Sequence, residues 1–254
     1  MIITEHNGVP VYRFAHLDTY PEIKHGIFTR KGGCSKDTFE SLNVGLHVGD
    51  DEANVKSNRK TVSQCIGVND VVYAEQSHGT EVLIFSKSRQ DSPVKASFKG
   101  DAMVTDMENK ILAVQVADCQ AVLMYDPCKK VVANVHSGWR GSIGNIIGRT
   151  VKAMKTCFGC NPSDIIAGIS PSLGPCCAEF VNYKHEIPEK FWIYKTSADH
   201  FDFWRMTCDQ LCDTGVLQKN IYSSNICTRC NTDSFYSFRK HRITGRFAAV
   251  IGLI

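Results

Sequence analysis

Residues 111–159 read ILAVQVADCQAVLMYDPCKKVVANVHSGWRGSIGNIIGRTVKAMKTCFG, three apolar runs followed by a helical pattern. The runs at 111–116, 121–125 and 130–135 are short and mostly apolar, which predicts buried strands. Asp118-Cys119 and the turn-forming Asp126-Pro127 separate them, and we expect all three in one sheet. Beyond Gly141, residues Ile143, Ile146, Ile147, Val151 and Met154 recur at helical spacing, and Gly159 is placed to close a helix over 141–158.

Working outward, residues 71–74 and 165–169 form further short strands, and residues 247–254 form an apolar strand after the basic run at 239–242. Residues 9–30 suggest short strands around a turn at Tyr20-Pro21, ending in a polar loop at 30–35. Residues 52–65 predict a helix that carries Val55 and Val62 on one face and stops near Gly67. Residues 170–177, with their prolines and glycine, read as a rigid loop that could wall a site. The aromatics between Lys190 and Gln218 read as packing residues on a partly helical segment. No repeat or linker divides the chain, so residues 1–254 are expected to form one domain.

The 254 residues are 43% apolar and 22% charged, as expected of a folded soluble protein. Twenty-nine basic residues against 26 acidic ones leave too small an imbalance to recommend a nucleic-acid or membrane partner. A small-molecule partner fits better. No basic run precedes an apolar stretch near Met1, and no window is long and apolar enough to span a bilayer, so the expected location is the cytoplasm. Twelve cysteines in a chain this long are read as reduced thiols rather than a disulfide framework.

Chemistry could reside in His78, within Gln76-Ser77-His78-Gly79, and in Cys119 and His136, each at the end of an apolar strand. No short metal-binding spacing joins them. Two imidazoles and a thiolate nevertheless make a normal three-ligand set for Zn²⁺ with a fourth position open. The turn from His136 to Gly144 enters a predicted helix and could bind an anion, with Arg140 as a bidentate donor and Arg59 or Arg246 adding charge. Among the remaining cysteines, Cys157/Cys160 and Cys227/Cys230 are the two CxxC pairs that could share a structural zinc. Their separation argues against it, and Cys176-Cys177 reads as part of the loop wall.

Taken in order, the motifs at 25–33, 41–45, 47–51, Asn58-Arg59, 76–79, 117–119, 136–141, 174–177 and 244–246 cover nearly the whole chain. They resemble the YfiH-like family, also called the laccase-domain or polyphenol-oxidase family, associated with purine nucleoside phosphorylase activity. The resemblance implies an α+β domain of packed β-sheets covered by helices in four α/β/β/α layers. It implies that His78, Cys119 and His136 bind catalytic Zn²⁺, and it points to Asn43, Arg59, Gln76, Arg140 and Arg246 for purine nucleoside and phosphate. Deamination of adenosine and phosphorolysis of methylthioadenosine are implied alongside. Gln120, Ser137 and Lys240 depart from the usual proline, alanine and arginine, which bears on substrate preference. The monomer is compatible with all of this.

Two other chemistries fit the same residues. Cys119 with His136 as its base would make a cysteine hydrolase or deamidase. Copper-dependent polyphenol oxidation would use the same ligands, but multicopper sites are rich in imidazole. The nine histidines here include no His-x-His pair.

Overall fold

The computed structural model describes residues 1–89 and 98–254. In chain order the elements are β1 (Ile2–His6), β2 (Val9–Arg13), β3 (Ile23–Phe28), α1 (Glu52–Ile66), β4 (Asp70–Tyr73), β5 (Val82–Phe85), β6 (Ala102–Thr105), β7 (Lys110–Val116), β8 (Gln120–Asp126) and β9 (Val131–Ser137). They continue with α2 (Trp139–Ile143), α3 (Ile146–Phe158), β10 (Ile166–Ile169), α4 (Tyr183–Glu186), α5 (Phe203–Asp213), β11 (Ile221–Ser223) and β12 (Phe247–Leu253). The strands form two mixed sheets, ordered β1-β2-β3-β12-β7-β4 and β11-β10-β8-β9-β6-β5.

Side-chain alternation explains why the sheets stack and why the central runs are mostly apolar on both faces. On β12, Ala249 and Ile251 point between the sheets, packing with Leu112 and Val114 of β7 and Leu123 and Tyr125 of β8. Ala248 and Val250 point outward beneath Val62 and Ile66 of α1. On the far side, Val122, Met124 and Ala133 face Ile147, Val151 and Met154 of α3 and Leu211 of α5. Four layers result, helix on sheet on sheet on helix, as expected. Asn134 on β9 stitches the two sheets, its Nδ2 donating to the Leu112 and Ala249 carbonyls at 2.8 and 2.9 Å.

Two expectations are corrected. The three central runs do not share a sheet: β7 lies in the first, hydrogen-bonded to β12 and β4, while β8 and β9 pair in the second. The connection after β7 crosses the layer gap through Asp118 at φ 84° instead of folding back as a hairpin. Strands buried on both faces look alike in sequence, so their pattern does not reveal which sheet they join. The helix expected over 141–158 is broken. Asn145 stands in the left-handed region at φ 56° and caps α3, its side chain accepting from the Gly148 amide. Only the five residues of α2 precede it.

The helix at Glu52–Ile66 ends on Gly67 at φ 76°, a left-handed cap that glycine adopts at little cost. The N-terminal edge strand β1, mostly exposed, has no counterpart in the sequence reading. None of the twelve cysteines forms a disulfide. Among the described residues, no helix is long and apolar enough to cross a membrane.

Candidate metal and substrate site

Three chain segments converge at one end of the two sheets. His136 is the penultimate residue of β9, where the strand is buried on both faces. Cys119 closes the crossing from β7 to β8. His78 sits on the loop after β4, at φ 59°. Their ligand atoms lie within 4.8 Å of one another, and the His78 and His136 rings meet edge to face with centroids 4.8 Å apart.

Asp101, at the head of β6 and 1% exposed, organises this convergence. Its Oδ1 accepts from the His78 amide at 2.8 Å and faces His136 Nδ1 at 2.9 Å. Its Oδ2 accepts from the Gly79 amide at 2.7 Å, and from the Ser77 amide and hydroxyl at 3.2 and 3.0 Å. Three consecutive amides thus wrap one carboxylate, an arrangement that the left-handed conformation of His78 makes possible. Burial alone would push the Asp101 carboxyl up, but hydrogen bonds from His136 and the Gly79 amide hold it well below the usual carboxylate range. A carboxylate at Nδ1 keeps the proton there and leaves the His136 Nε2 lone pair available.

The chain by itself polarises this group. Burial raises the Cys119 thiol, yet the charge of His136 and hydrogen bonds from both histidines bring it down to about 6. Burial lowers His136, but the Cys119 thiolate and Asp101 raise it to about 9. The donor set fits a borderline-soft cation with nitrogen and sulfur preferences. Gly138 keeps space for it: a Cβ there would lie 3.0 Å from His78 Cδ2 and 3.1 Å from Cys119 Sγ.

The three residues open into a cavity of about 1100 Å³, ample for a nucleoside-sized ligand. Arg59, Arg140, Arg239, Arg242 and Arg246 all line it, against the carboxylates Glu75 and Asp118. Arg59 is held by the Val44 carbonyl at 2.9 Å and Gln115 Oε1 at 3.2 Å, beneath the Tyr73 ring. Arg246 donates to the Thr244 and Gly245 carbonyls at 2.8 and 3.0 Å. Burial pulls both guanidinium groups below their ordinary value, and Cys119 and Asp118 partly offset this for Arg246. Arg140 stacks over Trp139, 4.1 Å from the ring centroid. It stands on the short α2, so a long helix dipole does not back the anion site expected at this turn.

Gln76 lines the cavity, but its amide is spent on β7, donating to the Gln115 carbonyl at 2.9 Å and accepting its N–H at 2.8 Å. It pins the His78 loop beside the sheet. Asn43 is fully buried and is not among the residues lining the cavity, its Oδ1 accepting from the amides of Gly45 and Arg246. It positions the backbone at Arg246.

Sequence reasoning missed Asp101, whose only trace was one acidic residue heading an apolar strand. It also missed Arg239 and Arg242 as lining groups, though the basic run containing them was visible. The two CxxC pairs stay apart, as their separation suggested, but Cys227 and Cys230 acquire other partners. Cys227 and Cys230 gather with Cys176 and Cys177, not with Cys157 and Cys160. Cys160 is buried among apolar residues under α3.

The family model described as multi-copper polyphenol oxidoreductase laccase matches residues 24–254. A relative from Geobacillus stearothermophilus, purine nucleoside phosphorylase YlmD, is 34% identical over 243 residues, covering 89% of each chain. Purine nucleoside phosphorylase YfiH of Escherichia coli is 32% identical over 237 residues, covering 89% of this chain and 92% of its own. Among solved structures, Bacillus licheniformis YfiH superposes with a TM-score of 0.87 at 28% identity, covering 99% of both chains. YlmD from Geobacillus stearothermophilus gives 0.86 at 31% identity, covering 98% of this chain and 97% of its own.

Proposed function

Because the chain belongs to this YfiH-like, laccase-domain family, we propose that it is a zinc-dependent purine nucleoside phosphorylase that also deaminates adenosine and cleaves methylthioadenosine. Residues 1–254 act as one domain in this reading. The observation that carries it is the meeting of His78, Cys119 and His136 within 4.8 Å at the wall of an arginine-lined cavity.

His78, Cys119 and His136 would hold the metal. Bound there, Zn²⁺ would supply a Lewis acid beside the reacting atoms. Asp101 fixes the His136 tautomer and, through three amides, the pose of His78. Arg246 and Arg59, rigidly held and partly desolvated, bind inorganic phosphate and stabilise the charge that moves during the reaction. Phosphate oxygen bonds to the ribosyl C1′ as the bond from C1′ to purine N9 breaks, and the purine leaves with a proton. In deamination, water oxygen bonds to C6 and the amino group departs as ammonia. The aromatic rings of Phe180 and Phe238, which also line the cavity, offer faces for the base.

Incubation of zinc-loaded protein with adenosine tests this directly. Adenine and ribose 1-phosphate are expected only when phosphate is present, and inosine with or without it. Absence of any product from the zinc-loaded protein would reject the reading in favour of a nucleoside-binding module.

One observation favours a second reading. The low Cys119 thiol beside a raised His136, itself backed by Asp101, is also the layout of a cysteine nucleophile with its base and orienting acid. If a chelator that strips the metal leaves full turnover while alkylation of Cys119 stops it, the cysteine reading replaces the zinc one. Copper, the metal in the family description, is a third outcome, detected as stoichiometric copper in protein expressed without added metal.

A further inference from the structure

We propose that Cys176, Cys177, Cys227 and Cys230 form a second, structural metal site, a four-thiolate centre for Zn²⁺ separate from the His78, Cys119 and His136 group. Two loops supply the ligands, one after β10 and one after β11. A short parallel bridge between Ser172 and Cys227 lays them side by side, with the Ser172 amide on the Ile226 carbonyl at 3.1 Å and the Thr228 amide on the Ser172 carbonyl at 3.0 Å.

The four sulfurs lie within 4.8 Å of one another, with Cys177 to Cys230 at 3.6 Å and Cys176 to Cys230 at 3.8 Å. Zinc–thiolate bonds of about 2.3 Å in a tetrahedron require sulfurs about 3.8 Å apart. A disulfide requires about 2.05 Å and joins only two of the four. Two of the six separations match an edge of the metal polyhedron, and all six fall within 4.8 Å.

Hydrogen-bond donors surround the sulfurs as they do at metal thiolates. The Gly174 amide donates to Cys227 Sγ at 3.3 Å, and Arg229 Nη1 donates to Cys177 Sγ at 3.4 Å. Four thiolates around a divalent ion leave a net negative charge, which the Arg229 guanidinium offsets. The backbone has been brought close for this contact: a Cβ on Gly174 would sit 3.1 Å from Cys227 Cβ and 2.8 Å from Trp204 Cη2. Glycine is the residue that fits. Four soft donors and no open position suit a structural zinc site rather than a catalytic one.

The site has a purpose for the rest of the molecule. Both cysteine-bearing loops grip Asp118, the residue before Cys119. The Leu173 amide donates to the Asp118 carbonyl at 2.8 Å, and Thr228 Oγ1 donates to its Oδ1 at 2.6 Å. Cross-linking the loops through one ion holds the layer-crossing turn that presents Cys119 to the cavity.

Zinc content per chain tests the assignment, without reference to turnover. Wild-type protein should carry two equivalents, H78A one, and the double variant C176S/C230S one. Cobalt-substituted H78A should show thiolate-to-metal charge-transfer absorption that H78A/C176S/C230S lacks. Cys176 and Cys230 are exposed, so as free thiols they would be open to alkylation. In zinc-loaded wild type they should stay unmodified until a chelator is added, a readout that survives if the double variant fails to fold. Wild type with a single equivalent that H78A removes, immediate alkylation of Cys176 and Cys230, or an intact mass lighter by two hydrogens under non-reducing conditions would each overturn the proposal.

Discussion

Replacing Asp101 by asparagine isolates the residue that orders the proposed metal group while leaving His78, Cys119 and His136 in place. The carboxylate receives the amides of Ser77, His78 and Gly79, the Ser77 hydroxyl and His136 Nδ1. Asparagine keeps one acceptor oxygen and puts an NH₂ in place of the other. If the NH₂ replaces Oδ1, it faces the His78 amide and His136; if it replaces Oδ2, it faces the Ser77 and Gly79 amides. Either way buried donors confront donors, at about 1–3 kcal/mol for each group left unsatisfied. A stability loss of roughly 3 kcal/mol follows, and where the NH₂ takes the place of Oδ1 the His136 ring also loses its tautomer lock. Loss of such a partner commonly weakens metal affinity about 10–100-fold. The assay is a zinc competition titration against a chromogenic chelator, run beside urea unfolding and adenosine phosphorolysis. S77A, which removes only one hydroxyl contact to Oδ2, should shift zinc affinity far less. If D101N binds zinc and turns over adenosine like wild type, Asp101 does not organise the centre and the reasoning fails.

Other outcomes follow from the same geometry. G138A places a methyl 3.0 Å from His78 Cδ2 and 3.1 Å from Cys119 Sγ, so zinc affinity should fall about tenfold or more with little change in melting temperature; equal affinity in the titration contradicts the cradle. R246A should raise the KM for phosphate about 10–100-fold, the worth of a charged hydrogen bond, while N43A, acting through the Arg246 amide, should also lower thermal stability; steady-state kinetics over phosphate concentration checks both. Stripping the metal with a chelator should abolish phosphorolysis and zinc should restore it, with turnover that survives full stripping counting against the zinc reading. Acid stability depends on His25, which is 3% exposed, accepts the Phe14 amide at its Nε2 at 2.9 Å, and is pushed down to about 3, chiefly by burial. A histidine lowered on folding contributes stability in full above its unfolded value near 6.5, and loses it as pH falls toward 3, at about 1.4 kcal/mol per pH unit in between. Urea unfolding of wild type should therefore show a steeper fall between pH 6 and pH 4 than H25Q; equal slopes would remove His25 from the account.

The strands that became the centre of each sheet were the readable part of the chain, because burial on both faces leaves β7, β8, β9 and β12 predominantly apolar. That same feature concealed which sheet each one joins. The break before α3 was written in Gly144-Asn145 but was outweighed by the apolar spacing on either side. His78, Cys119 and His136 could be proposed from their residue types and their motifs, whereas their meeting depends on pairings between distant segments. Asn43 looked like a ligand-facing residue within its motif, yet its side chain is committed to backbone amides. The four clustered cysteines were individually visible. Only the bridge between Ser172 and Cys227 reveals that the adjacent pair and the CxxC pair belong together.

The placement of β12 bears on how the protein is made. Phe247–Leu253 fills the gap between β3 and β7, and Asn134 reaches across to the Ala249 carbonyl in it. Until β12 has been made, the facing edges of β3 and β7 therefore stay open, with neither the first sheet closed nor the inter-sheet core sealed. Pairings of such sequence separation form slowly, and open apolar edges invite association with other chains. Nascent chains lacking β12 should recruit chaperones and resist compaction, and the arrival of one seven-residue strand should act as the latch that commits the whole molecule to its native state.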